Sequence, residues 1–567
     1  MKRSCRTALV ACATLLIASG FTSRANALVD VTEMTVAEIE AGLAANAFTS
    51  VELTQSFLAR IATYEPTYNA FVSLNPEALS IAAALDLEYQ TTGPRSPLHG
   101  VPVVVKDNMD YAGLVTTNGY SGFSSATGGI DIVPSNDSSV VERLKAAGAV
   151  IIGKTNLPDF ANDGLRSNST VEGSTKNPSQ ILKAPGGSSG GTASATNASL
   201  AVLGLGTETG RSIHNPSSFQ SLVGVRPTHG LVPIDGIAPL NGSFRDVAGP
   251  IAKSVYDAAV TLDAIAGPSA KDPLTAGAVV PAAGYTSALS ATALAGKKIG
   301  YFDPQFLPLG NAGNPSFRSP DAETQTLYDA AIDLFETEGA TVFTGDIFGS
   351  AWTDEYYSAP SAPNSQRYDQ WKYFQALGPS TPFDSWETYQ AELAAQGKAF
   401  VNSPFVTETT DTVDTRTTAA GIAWLGWQEE LRTLFTQTLD TLGLDALVWP
   451  VNGKAAPLLA TGQPGSANND PLVQGVINIL GAPGVIVPAG EYADGTPFGV
   501  IVIGRFWDEA NLLGLAYDYE LAAAGTSLGR IVPTLIPEPS SALLGATLLG
   551  FFAVQRHRRK QAPRVPA

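Results

Sequence analysis

The segment Ala184-Pro185-Gly186-Gly187-Ser188-Ser189-Gly190-Gly191, followed by Gly206-Thr207-Glu208-Thr209-Gly210-Arg211-Ser212-Ile213, constrains this chain more than any other. Glycine pairs on either side of two serines permit backbone geometry that residues with a Cβ avoid, so the segment reads as a specialised loop. A flexible loop or a phosphate cradle would share that composition, but the lysine of a Walker-type loop is missing. What remains is two serine-bearing segments, and a serine hydroxyl is a poor nucleophile until a nearby base takes its proton. Lys106, which closes the apolar run Val101-Pro102-Val103-Val104-Val105, is the candidate base. An amine accepts a proton only when uncharged, so its ordinary pKa of about 10.4 must be lowered by burial or by an adjacent positive field. The expected activity therefore rises with pH into the alkaline range. The alternative for Lys106 is a surface ion pair with Asp107.

Histidine offers no better base. His214 follows Ser212 closely, yet a Ser/His dyad is made by tertiary geometry and not by proximity along the chain. His99 in Leu98-His99-Gly100 reads as structural, and His229 in Pro227-Thr228-His229-Gly230 as an exposed turn residue. No HExxH, clustered His/Asp spacing or dinucleotide fingerprint occurs, so no metal or cofactor is expected.

The periodicity is that of an α/β protein. Short apolar runs at 101–106, 149–153 and 201–205 read as buried strands. Segments 32–43, 51–64, 137–147 and 255–266 are free of proline and carry helical spacing, with Asp137 as a candidate N-cap. The stretch 302–405 is rich in aromatic residues, among them Trp352, Tyr356, Tyr357, Tyr368, Trp371, Tyr373, Phe374, Trp386 and Tyr389. Most of these rings are expected in ordinary packing, and some as a wall or lid over a substrate cleft.

The two ends have their own character. Lys2, Arg3 and Arg6 precede an apolar run, and Ala25-Asn26-Ala27 supplies the small residues of a cleavage site, so residues 1–27 read as a secretory signal. Cys5 and Cys12, the two cysteines of the chain, both fall inside it, which leaves no disulfide or thiol chemistry for residues 28–535. Residues 536–567 run from Ile536-Pro537-Glu538-Pro539 through an apolar stretch to Arg556, Arg558, Arg559 and Lys560. This resembles a PEP-CTERM sorting tail, and its apolar part is shorter than the roughly 20 residues of a spanning helix. The resemblance implies an exported protein held briefly at the membrane and cut by a processing protease. The formal charge of −18 argues against a nucleic-acid partner, because an acidic surface repels phosphate backbones. Nothing in the sequence decides the oligomeric state.

Taken together, the segments around Lys106, Ser188 and Ser212 resemble the amidase signature family. Further blocks occur in family order: Pro97 to Pro102, Gly153-Lys154-Thr155-Asn156, Gly224 to Thr228, Asp246-Val247-Ala248-Gly249-Pro250 and Gly481-Ala482-Pro483. The resemblance covers about residues 30–525 and is weak from about 300 to 430. It implies a single large α/β domain over residues 28–535, a mixed multi-stranded β-sheet wrapped by α-helices. It also implies a carboxylic amide as substrate, whether small molecule or peptide, cleaved through an acyl-enzyme. Ser212 is then the nucleophile and Ser188, in a cis peptide, passes its proton toward Lys106, while Ser189 supports. The backbone N–H groups of Thr209, Gly210, Arg211 and Ser212 are the candidate oxyanion hole. Two positions depart from the family: Arg211 stands where most members have glycine, and His214 where they have arginine. They support the alternative of an inactive amidase fold serving as a surface scaffold. Within the family, a tRNA-dependent amidotransferase component is expected to be a poor match, since that work is cytosolic and needs further protein partners.

Overall fold

Val103, Val104 and Val105 are fully buried because the strand that carries them, Pro102–Lys106, has a parallel neighbour on each side. A strand covered on both faces reads as a continuous apolar run, not an alternating one. The computed structural model describes residues 28–301, 320–400, 409–460 and 477–534. The expected leader, residues 1–27, and the tail, residues 536–567, lie outside them, as do 302–319 and 401–405 of the aromatic stretch.

Eleven strands form one mixed sheet among the described residues. In spatial order they are Phe71–Leu74, Val150–Thr155, Pro102–Lys106, Leu203–Glu208, Val247–Ala252, Val223–Arg226, Gly484–Glu491, Pro497–Ile503, Ala446–Pro450, Lys298–Tyr301 and Thr341–Phe343. The third strand runs parallel to the second and fourth, and the last three are parallel to one another. Every pair between the fourth and the ninth is antiparallel. The three strands expected at 101–106, 149–153 and 201–205 all form, within a few residues of those bounds. Helices line the sheet, and one apolar cluster runs from Val31 to Ala523, which makes the chain a single-domain α/β protein as expected.

The helix starts are written locally. Val36–Ala44 and Ser50–Tyr68 each begin at a threonine, Thr35 or Thr49, whose side chain accepts from the N–H of a glutamate three residues on. The glutamate accepts in return from the threonine N–H, a capping box. One expectation needs correction: helix Ser139–Ala146 starts at Ser138, not Asp137. Asp137 is drawn instead to Lys145 Nζ at 2.7 Å and to the Ala112 N–H at 2.8 Å.

The aromatic stretch builds a second core. Trp386 and Tyr389 are fully buried against Phe123, and Phe374, Phe383 and Tyr373 join them. Packing therefore accounts for these rings, as expected for most of the stretch. At the periphery, Arg530 ties the last described segment to the first: its guanidinium meets Glu33 at 2.7 Å and donates to Asn197 Oδ1 at 3.1 Å and to Ser221 O at 2.6 Å.

Candidate active site

Pro102–Lys106 and Leu203–Glu208 pair in parallel, so Lys106 and Thr207 reach the same carboxyl edge of the sheet. Open α/β sheets commonly bind ligands at such an edge. The glycine-rich loop arrives between them and continues into helix Gly190–Asn197. Gly206 is required by this approach: a Cβ there would lie 2.8 Å from Ser189 Oγ. The Gly187–Ser188 peptide is cis, at the position that the family resemblance implied.

Lys106 is fully buried. Its Nζ donates to Ser188 Oγ at 2.6 Å, Thr207 Oγ1 at 2.8 Å and Ser189 Oγ at 3.1 Å. All are neutral partners. Burial pulls the amine down to about 7, against the opposing fields of Asp246 and Glu208. The surface ion pair with Asp107 does not form, because Asp107 binds Lys154. Ser189 sits as a supporting hydroxyl, donating to Thr207 O at 3.1 Å and accepting from the Thr207 N–H at 3.2 Å.

Ser212 lies on the next turn, nearly buried at 6% exposure. Glu208 shapes that turn from inside: one carboxylate oxygen accepts from the N–H of Ile213 at 2.8 Å, the N–H of His214 at 3.0 Å and His214 Nδ1. The other faces Arg226 Nε at 3.3 Å. Desolvation opposes the charge on Glu208, yet His214 and Arg226 hold its carboxyl below the usual range. Thr209 donates through Oγ1 to Asp246 at 2.6 Å, and Asn478 Nδ2 donates to Gly210 O. The turn is thereby held from three sides. Among the described residues, the N–H groups of Gly210 and Ser212 meet no acceptor.

The departures from the family find their surroundings here. His214 is buried and engaged with Glu208, which leaves no Ser/His dyad. Arg211 is partly buried and its stem lies on Gly164, where a Cβ would come within 2.6 Å of Arg211 Cγ. His99 is structural as expected, with Nε2 at 3.0 Å from Leu85 O. His229 is not the exposed turn residue expected: its Nε2 is buried, and desolvation with the charges of Arg432, Arg226 and Arg416 lowers it to about 3. Sequence reasoning missed the roles of Glu208, Asp246, Arg226 and Asn478 in holding the turn. Glu208, Arg226 and Asp246 each stand in a quoted motif, Gly206 to Ile213, Gly224 to Thr228 and Asp246 to Pro250, but no motif announces that they meet at one turn.

A buried amine and two serine loops gathered at one edge of a large mixed sheet define a class, the α/β enzymes that hydrolyse C–N amide bonds. The chain belongs to the amidase family, which it matches over residues 52–513. It is 33% identical to a peptide amidase solved with the competitive inhibitor chymostatin, covering 89% of this chain and 99% of that one with a TM-score of 0.71. Native peptide amidase from Stenotrophomonas maltophilia gives 31% identity, coverage of 90% and 100%, and a TM-score of 0.71. Among curated relatives, a glutamyl-tRNA(Gln) amidotransferase component from Marinomonas sp. (strain MWYL1) is 35% identical over 83% of this chain and 93% of its own length. Its counterpart from Chloroflexus aggregans is 33% identical, over 86% and 96%. By identity, then, the amidotransferase component is not the poor match expected.

Proposed function

We propose that this enzyme is an exported amidase working through Ser212, Ser188 and Lys106. The observation that carries the reading is the 2.6 Å contact between Ser188 Oγ and a buried Lys106 whose pKa burial brings to about 7. In its neutral form Lys106 accepts the Ser188 proton while Ser188 takes that of Ser212. Ser212 Oγ attacks the amide carbonyl, and the N–H groups of the 209–212 turn receive the developing oxyanion. Collapse breaks the C–N bond, and the proton returns through Ser188 to the departing ammonia or amine. Water then hydrolyses the acyl-enzyme by the same relay, giving a carboxylate and free Ser212.

Export rests on the basic, apolar and small-residue order of residues 1–27 and on the tail 536–567, which would hold the protein at the membrane until a protease trims it. N-terminal sequencing and intact mass of protein recovered from the native cell envelope and medium test this part. A chain that retains residues 1–27 in the cytoplasm overturns it.

The chemical test is ammonia or amine release from a panel led by peptide amides, given the structural relatives, with aryl and aliphatic amides behind them. Turnover by wild type, and none by Ser212→Ala or Lys106→Ala, is the expected result. No turnover together with no labelling of Ser212 by a fluorophosphonate would favour the scaffold reading.

A further inference from the structure

Arg245 has an unusual position for a charged side chain. It is partly buried, its Nε is out of solvent without a hydrogen-bond partner, and its guanidinium forms no hydrogen bond or ion pair among the described residues. Its guanidinium lies over the face of Trp424, 5.5 Å from the ring centroid. Trp424 is itself 3% exposed, with an indole Nε1 that also lacks an acceptor. Burial opposes the charge of Arg245 and the fields of Tyr356 and Asp246 favour it, but the nearby carboxylates spend their hydrogen bonds elsewhere. Asp246 is engaged with Thr209 and with the N–H groups of Leu240 and Asn241, both at 2.9 Å, and Asp369 with the Ser243 N–H at 3.1 Å and the Ser365 hydroxyl. A buried N–H without an acceptor is costly, and an unpaired buried cation more so.

The chain neighbours of both residues are tied to the catalytic turn. Arg245 precedes Asp246, which holds Thr209. Trp424 stands one helical turn before Gln428, which donates through Nε2 to Ile479 O, next to the Asn478 that holds Gly210. The two donors thus stand on two different elements that brace the turn, the loop before strand Val247–Ala252 and helix Ala419–Leu442.

We propose that Arg245 and the indole N–H of Trp424 bind a carboxylate carried by the substrate, so that the enzyme prefers amides bearing a second, free carboxylate. This rests on the amidase reading above and deepens it. A planar guanidinium fork matches a carboxylate in two parallel hydrogen bonds, and the indole supplies a further donor. Hydrolysis of such a half-amide consumes one water, breaks the C–N bond, and releases a dicarboxylate and ammonia.

The test compares half-amides of short dicarboxylic acids with neutral amides of matching length, for instance succinamate with butanamide. The readout is the ratio of their kcat/KM values. Wild type should favour the acid by roughly tenfold or more, Arg245→Gln should lower the ratio by roughly 30-fold or more, and Arg245→Lys should keep part of it. A wild-type ratio of one or less, or a ratio unchanged in Arg245→Gln, overturns the proposal while leaving the amidase reading intact. If wild type hydrolyses no amide, the amidase reading fails. Calorimetry with succinate then decides the anion site: binding lost in Arg245→Gln supports it, and equal or absent binding overturns it.

Discussion

Asp107, the residue after Lys106, pairs with Lys154 at 2.9 Å, and both side chains are fully buried. The carboxylate that adjoins Lys106 in sequence therefore stabilises the charge of a different lysine. Lys106 is left among hydroxyls, and its neutral form is accessible near pH 7. The same pairing predicts that kcat/KM rises through about pH 7 to a plateau, since the protonated amine cannot accept from Ser188. That is lower than the alkaline rise expected from an ordinary lysine. Initial rates from about pH 5 to about pH 10 check it, and a flat profile would remove Lys106 as the base.

Ser212→Ala, Ser188→Ala and Lys106→Met should each lower kcat by about 10³-fold or more, and the double variants should lose little beyond the singles, because a relay fails as a unit. Circular dichroism separates this from unfolding. Additive losses would mean that the three do not act together.

Glu208→Gln should cost about 3 to 5 kcal/mol of stability, because it leaves the buried Arg226 charge without its carboxylate. Activity should fall with it, since Glu208 sets the turn that carries Ser212. Denaturant unfolding and kcat measured on the same preparation check both; a variant as stable as wild type would show that Glu208 is dispensable to the clamp.

Asp110 gives a second pH signature. Burial raises its carboxyl to about 7, above an unfolded value of about 4. The protonated acid is thus favoured in the folded state, so its contribution is complete below about pH 4 and is lost as pH rises through about 7. The Tm advantage of wild type over Asp110→Asn should shrink across that window, and an advantage that grows instead would contradict the assignment.

Trp386→Ala should cost about 3 to 5 kcal/mol, as expected for a fully buried indole packed on Phe123 and Phe374. Urea unfolding reads the loss directly. A change below about 1 kcal/mol would mean that this second core contributes little to global stability.

What could be read from the residues follows from how local each signal is. Val103 to Val105 announce a buried strand because burial on both faces leaves a continuous apolar run, and Thr35 and Thr49 announce helix starts because a cap spans three residues. Lys106 could be nominated because it ends such a run. The clamp of Glu208, Arg226 and Asn478 could not be, although Glu208 and Arg226 stand in quoted motifs, since it joins residues 252 apart in the case of Arg226 and Asn478. Nor could Tyr373, whose hydroxyl meets Asp110 across 263 residues. Asp137 and Ser138 are both residue types that favour caps, and Asp137 is engaged instead by Lys145 and the Ala112 N–H. Arg245 belongs to no motif, and its isolation is a property of three-dimensional packing alone.

The contacts of Arg530 bear on how the molecule carries mechanical load. A pull on the last described segment is taken up by Glu33, Asn197 and Ser221. Asn197 ends the eight-residue helix that the glycine-rich loop begins, a length of about 12 Å. Tension at the periphery is thus delivered to the far end of that helix and to a neighbouring turn, one rigid element removed from the serines.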